Sequence, residues 1–222
     1  MDMGVPGRAN HLPAKKGPAN LSKLILEFFK PAIILSPEAL LFTFKDENHS
    51  SIDTEYWSAD KHLVPRSPGT WLFFTGFQIQ VRHLFLSHSA TDILCFCHYS
   101  PAWLKQSESI AFATLGLVVS TDQIHYLKSL FLNAKVHTVF DDGIIGRVTD
   151  CKIALWMKGK DAEFKLTGDC MLVLYNKKRF SIPLEEFSLS RFEKTVSLRS
   201  GIRTHKPKEG FNSYHDFFVC SE

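Results

Sequence analysis

The sequence predicts an α/β protein built on a central, mainly parallel sheet. Two observations point there. Short apolar runs at 82–87, 110–115 and 136–140 alternate with stretches of helical spacing at 90–99, 121–132 and 147–157. Strand and helix alternating at that interval is the pattern of crossover units, whose helices cover both faces of a buried sheet. The composition agrees: 222 residues, 45% of them hydrophobic and 22% charged, make one globular domain with appendages and exclude a collagen, a coiled coil or a wholly disordered chain.

In chain order, residues 1–20 combine Gly4, Pro6, Gly7, Pro13, Gly17 and Pro18 with Arg8, Lys15 and Lys16. Such a segment buries little apolar surface and is expected to be a flexible basic arm. Residues 21–80 are expected to form a small N-terminal α+β piece. Its helix runs from Leu21 to Lys30, capped by Asn20 or Ser22 and ended by Pro31; strands follow at 40–45 and 71–81, with a polar loop over 46–68 between them. Residues 81–160 hold the α/β domain. Its second apolar run stops at Gly116, and its second helix opens at Ser120 or Thr121. Residues 161–222 read as a basic hairpin-helix extension. In it, 171–175 pairs with 179–182 around Asn176-Lys177-Lys178, a helix spans 184–198 with Pro183 in its first turn, and Gly201 onward is irregular.

Five cysteines, two of them (Cys95 and Cys97) inside one apolar run and none in a C-x-x-C pair, do not suggest a secreted disulfide framework or a zinc ribbon. The expectation is reduced, mostly buried thiols in a cytoplasmic protein. No signal-peptide core is seen at the N-terminus, and Glu27, Lys30 and Pro31 interrupt the greasiest stretch, so no membrane association is expected.

Charge is uneven. Residues 147–210 hold 14 Lys/Arg against 8 Asp/Glu, whereas residues 25–146 hold 8 against 12. The basic excess falls on Arg147, Lys177, Lys178, Arg179, Arg191, Lys194, Arg199, Arg203 and Lys206, interleaved with Phe180, Phe187, Phe192 and Phe211. Such a stretch suits contact with a phosphate backbone, DNA or RNA, and equally suits a solvated helix face.

Ligands of a parallel α/β sheet sit beyond the carboxyl ends of its strands. Here those ends are Ser87-His88, Gly116 and Asp141-Asp142-Gly143. Acidic residues at such an edge repel phosphate unless a divalent cation bridges them. Other constellations are weaker. Ser87 and Ser89 beside His88 lack a nucleophile elbow, Cys95 and Cys97 point apart on a helix, and no phosphate-binding glycine loop occurs. Receiver domains of response regulators carry their acidic pair near the first strand, not the third.

The stretches FLSHSATDILCF (85–96), ATLGL (113–117) and VFDDGIIGR (139–147) resemble a Toprim domain, the metal-binding α/β module of bacterial primases, topoisomerases, some nucleases and many mobile-element proteins. The resemblance covers 80–160 and implies a Toprim-like sheet. Asp92, Gly116, Asp141 and Gly146-Arg147 match the family pattern. His88 stands where the family has its Glu, and Gly143 where it has its second Asp; Asp142 occupies the position between. The resemblance therefore implies catalytic roles for His88, Asp92 and Asp141, and a metal held by Asp141, Asp142 and His88. Mg²⁺ or Mn²⁺, bound weakly or not at all, is the implied cofactor, ahead of Zn²⁺.

Three functional expectations follow. The first is a nucleic-acid-associated accessory factor of replication or a mobile element, with degenerate catalysis. The second is an active divalent-metal-dependent nuclease or primase, and the third a protein-interaction domain. Oligomeric state is not legible.

Overall fold

The computed structural model describes residues 16–221. Residues 1–15 of the expected basic arm lie outside them; the rest of the arm includes a 3₁₀ turn, Pro18–Asn20, closed by Gly17 N–H on Asn20 Oδ1 at 2.9 Å. Helix α1 (Lys23–Phe29) follows, with Ser22 at its N-cap and Pro31 in the 3₁₀ turn that ends it. Strands β1 (Ile34–Leu35), β2 (Ala39–Lys45), β3 (Ser51–Ser58) and β4 (His62–Leu63) form an antiparallel sheet in that order.

Two of those strands correct the expected polar loop over 46–68. Strand β3 is eight residues long, and its buried side chains include Glu55 beside Trp57. A carboxylate on the inward face breaks the apolar alternation that marks a strand, so the segment reads as loop.

Strand β5 (Trp71–Phe74) is shorter than the run to Val81, which instead ends in a 3₁₀ turn, Gln78–Gln80. Gly76 makes the break: a Cβ there would lie 2.6 Å from the Glu108 carbonyl, so only glycine lets the two backbones approach. The alternating core then runs β6 (His83–Ser87), α2 (Ala90–Tyr99), β7 (Ile110–Thr114), α3 (Thr121–Leu130), β8 (Lys135–Thr138) and α4 (Ile144–Trp156). Helix α4 begins one turn earlier than its expected start at Arg147. Ser89 caps α2 by accepting the Asp92 N–H, and Ser120 caps α3 in a reciprocal box with Gln123.

Strands β9 (Glu163–Thr167), β10 (Cys170–Tyr175) and β11 (Lys178–Pro183) make an antiparallel meander, of which the sequence reading gives the β10–β11 hairpin alone. A 3₁₀ turn (Leu184–Glu186) precedes α5 (Leu189–Val196), so the expected helix over 184–198 is divided. The segment from Gly201, expected to be irregular, contains strand β12 (Arg203–Thr204) and helix α6 (Tyr214–Cys220).

The protein is thus a mixed α/β structure around a partly parallel five-stranded sheet of order β12-β8-β6-β7-β5. The first four strands are parallel and β5 runs against β7. Its edge strands come from the segments flanking 81–160. Phe85 and Phe112 on one face pack with Ile93, Leu94 and Phe96 of α2 and with Ile25 and Phe29 of α1. Leu84, Leu86, Ala111, Ala113 and Val136 on the other meet Ile124 and Leu127 of α3 and Ile153 of α4. Each fully buried side chain of this size contributes roughly 1.5–3 kcal/mol. A third cluster joins α4 and α5 to the inner face of the meander. All five cysteines are free; Cys95, Cys97 and Cys151 are buried, Cys170 half-buried and Cys220 exposed. No helix among the described residues is long and apolar enough to cross a membrane.

Candidate functional site at the carboxyl edge of the sheet

Strands β6 and β8 are parallel neighbours, yet the helices that leave them, α2 and α4, pack on opposite faces. The chain therefore parts at their carboxyl ends and opens the crevice where ligands of open α/β sheets sit. The histidine turn and the twin-aspartate turn meet there. Val139 N–H reaches the Leu86 carbonyl at 2.7 Å, and Ser87 Oγ donates to the Val139 carbonyl at 3.0 Å. Gly116 closes the neighbouring loop with φ +71°, its N–H on the His88 carbonyl, and a Cβ there would come within 2.8 Å of the Pro65 carbonyl.

The first charged group at this edge is one that sequence reasoning missed. Glu55 of β3, 0% exposed, lays its carboxylate across the N-terminus of α2. Oε2 accepts the Ala90 N–H at 2.7 Å, while Oε1 accepts the Thr91 N–H at 3.0 Å and the Ser89 hydroxyl at 2.9 Å, with His62 Nε2 also 3.0 Å away. Orphan N–H groups and the positive helix end make this an anion seat, and the protein fills it with its own side chain. The nearest sequence signal is the alternation of Glu55 with Trp57, separated from α2 by 35 positions.

Asp92, in the first turn of α2, is buried and accepts the His215 backbone N–H from α6 at 2.8 Å. Burial, with the Asp141 charge adding to it, pushes its carboxyl up to about 7. Burial also raises Asp141, against the opposing pull of Lys206. The His215 ring lies 4.5 Å from His62 and is pushed down to about 4 by burial and by that neighbour. Glu55, His62, Asp92, Asp141 and His215 thus gather on the α2 side of the crevice.

His88 goes the other way. Its side chain is 5% exposed, packs against Phe140 with centroids 4.5 Å apart, and places Nε2 3.4 Å from Thr149 Oγ1 of α4. Burial, reinforced by Lys206, pushes it down to about 4, and its Nδ1 has no partner among the described residues. Asp142 turns outward to Arg147, whose Nε donates to the Asp142 carbonyl at 2.7 Å and to Oδ1 at 3.2 Å. The residues expected to hold a metal, His88, Asp141 and Asp142, therefore diverge. Among the described residues no three His, Cys, Asp or Glu side chains are placed to hold a metal ion. The Mg²⁺ implied by the resemblance does not fit this side-chain set, and no step is assigned to it.

The expected phosphate-contacting cations divide in the same way. Arg147 is occupied by Asp142 and by the Phe187 carbonyl at 3.1 Å. Lys206 is inserted at the crevice, donating to the carbonyls of Phe140 (3.0 Å) and Asp141 (2.7 Å) and to Asp150 Oδ2 (2.8 Å). Arg191 pairs with Glu186 at 2.8 Å. Lys194, Arg199 and Arg203 are exposed, as are Lys177, Lys178 and Arg179 at the β10–β11 hairpin. Lys160, 5.9 Å above the Tyr175 ring, adds to the group at the hairpin end.

A second polar chain crosses the α2 face of the sheet. His83 Nδ1 lies 3.0 Å from His137 Nε2, and His137 Nδ1 lies 2.9 Å from His205 Nε2. Phe85 stacks on His137, and Trp103 meets all three imidazoles edge-on. Separations of 54 and 68 residues hide this chain from a sequence reading.

No protein-family model matches this sequence, and no curated protein is significantly similar to it.

Proposed function

We propose that the chain is a cytoplasmic, nucleic-acid-associated protein of Toprim-like type, an accessory factor of replication or of a mobile element, whose acidic edge is held shut rather than catalytic. The observation that carries this reading is the filling of the crevice by the protein's own charges. Glu55 takes the helix N-terminus where a substrate phosphate is bound in open α/β folds, and Lys206 takes the carbonyl and carboxylate oxygens beside Asp141. Neither position is free for phosphoryl transfer. Phosphate contact then falls to the exposed cations Lys177, Lys178 and Arg179, with Lys160 beside them.

Fluorescence anisotropy with labelled single-stranded and duplex oligonucleotides tests this. Affinity falls steeply between about 50 and 200 mM salt, and Lys177→Ala with Arg179→Ala weakens binding while lowering the salt slope by about one per cation removed. Salt-independent binding, or none, removes the nucleic-acid partner. Mn²⁺-stimulated strand cleavage that Asp141→Asn abolishes would show the edge to be catalytic.

A further inference from the structure

The seat of Lys206 is built of oxygen. Its ammonium uses all three of its donors on Phe140 O, Asp141 O and Asp150 Oδ2. Two more buried oxygens lie beside these. Asp150 Oδ1 and Thr138 Oγ1 are buried, their residues 1% and 0% exposed, and neither has a partner among the described residues. They belong to one group, because the Thr138 hydroxyl lies close enough to the Asp150 carboxyl to favour its charged form. The seat therefore gathers two main-chain carbonyls and the Asp150 carboxylate about the ammonium, with the Thr138 hydroxyl beside that carboxylate. A hard cation of Ca²⁺ type takes about six to eight oxygens in adaptable geometry and accepts backbone carbonyls as readily as carboxylates.

Charge acts in the same direction. Asp141 adds negative charge at Asp92, Asp142 adds it at Asp150, and Lys206 is the one ammonium bonded into the crevice among the described residues. His88, which also faces Lys206, is held neutral by burial. The segment that delivers Lys206 is held by a short strand pairing and by the His205 ring, 2.9 Å from His137. Strand β12 pairs with β8 over two residues, His205 N–H reaches the Thr138 carbonyl at 2.7 Å, and the Tyr214 hydroxyl donates to the Lys206 carbonyl at 2.8 Å.

We propose that the Lys206 seat is a site for a hard divalent cation, filled from within by the C-terminal segment, and that Ca²⁺ competes with the ammonium for it. The proposal rests on the reading of a shut edge. It uses Asp150, Thr138 and two main-chain carbonyls, not the His88 and Asp142 side chains. Entry of the cation expels Lys206 and loosens the chain around His205.

Calorimetric titration of the full chain with Ca²⁺ alone tests this. Lys206→Met keeps the length of the stem and removes the competing charge, so it binds Ca²⁺ roughly tenfold or more tighter than the unaltered protein. Adding Asp150→Asn to Lys206→Met abolishes that gain. Equal affinity with and without Lys206, or binding that survives Asp150→Asn, overturns the proposal. Where Lys206→Met fails to fold, amide exchange at His205 in the unaltered protein decides: acceleration under saturating Ca²⁺ supports displacement, and unchanged exchange overturns it. No nucleic acid enters this experiment, so failure of oligonucleotide binding sinks the proposed function and leaves the cation site standing.

Discussion

Glu55 is the residue on which the carboxyl edge depends. Its carboxylate serves two backbone N–H groups, the Ser89 hydroxyl and the His62 ring, with no access to water. Glu55→Ala leaves these buried donors unpaired and destabilises the protein by about 3–5 kcal/mol in urea unfolding. Glu55→Gln keeps an acceptor oxygen, loses the attraction to the helix terminus, and costs about 1–2 kcal/mol. Equal, small losses for both would mean that water replaces the carboxylate. Asp92 and Asp141 are legible from sequence because strand ends and helix starts are, and both do lie at the crevice. His88 and Asp142 are legible as positions but not as directions. Adjacent residues of extended chain point opposite ways, so Asp142 meets Arg147 while Asp141 faces inward. Glu55 is hidden for a different reason: nothing local says that a polar residue of one sheet will cap a helix of another.

Among the elements, those fixed by local chemistry are the readable ones. Helices α2 and α3 start where Ser89 and Ser120 accept N–H bonds, and the β10–β11 hairpin turns at Asn176-Lys177, with Lys178, expected in the turn, already paired to Tyr175. Strand β12 is two residues long and exists only through pairing with β8, which no local pattern encodes. Helix α6 did carry a signal, Ser213 accepting the Asp216 N–H, in a stretch whose polarity masks it. At the hairpin, Asn176 and Lys177 have φ of +50° and +62°, the left-handed pair of a two-residue turn that matches strand twist. Lysine is strained there and glycine is not. Lys177→Gly therefore raises stability by about 0.5–1 kcal/mol, read as a higher urea midpoint at unchanged slope. The same change removes an exposed cation and weakens oligonucleotide binding. A variant that is both less stable and equally tight in binding would contradict the turn geometry and the charge assignment together.

For the whole molecule, the buried imidazoles and the buried Asp92 titrate against each other, and the histidines outnumber the acid. His88, His137 and His215 are pushed to about 4, about 3 and about 4 by burial, from an ordinary 6.5. The unfolded chain thus binds protons that the folded chain refuses. Their contribution to stability is complete above pH 6.5 and is lost as pH falls through the folded values. Asp92 has the opposite sign. Its carboxyl, raised from 3.8 to about 7, contributes fully below 3.8 and loses that contribution as pH rises through 7. Near pH 5 these three histidines leave the unfolded state about three protons ahead and Asp92 returns one; the lowered His83, His98 and His205 add to that excess and the raised Asp141 and Asp150 subtract from it. Two protons correspond to a slope of roughly 2.7 kcal/mol per pH unit, with stability falling on acidification. Urea unfolding at a series of pH values between 6.5 and 4.5 measures it. Asp92→Asn removes the opposing group, so it steepens the acid slope by about 1.4 kcal/mol per pH unit and raises stability above pH 7 relative to the unaltered protein. A flat profile across this range would mean that the imidazoles take up protons without unfolding. The imidazole chain across the sheet sets a bound on that uptake. Three rings joined by two hydrogen bonds have two outer nitrogens, so the chain holds one excess proton with both bonds intact and a second proton must break a bond. A second excess proton therefore parts His137 from His83 or from His205.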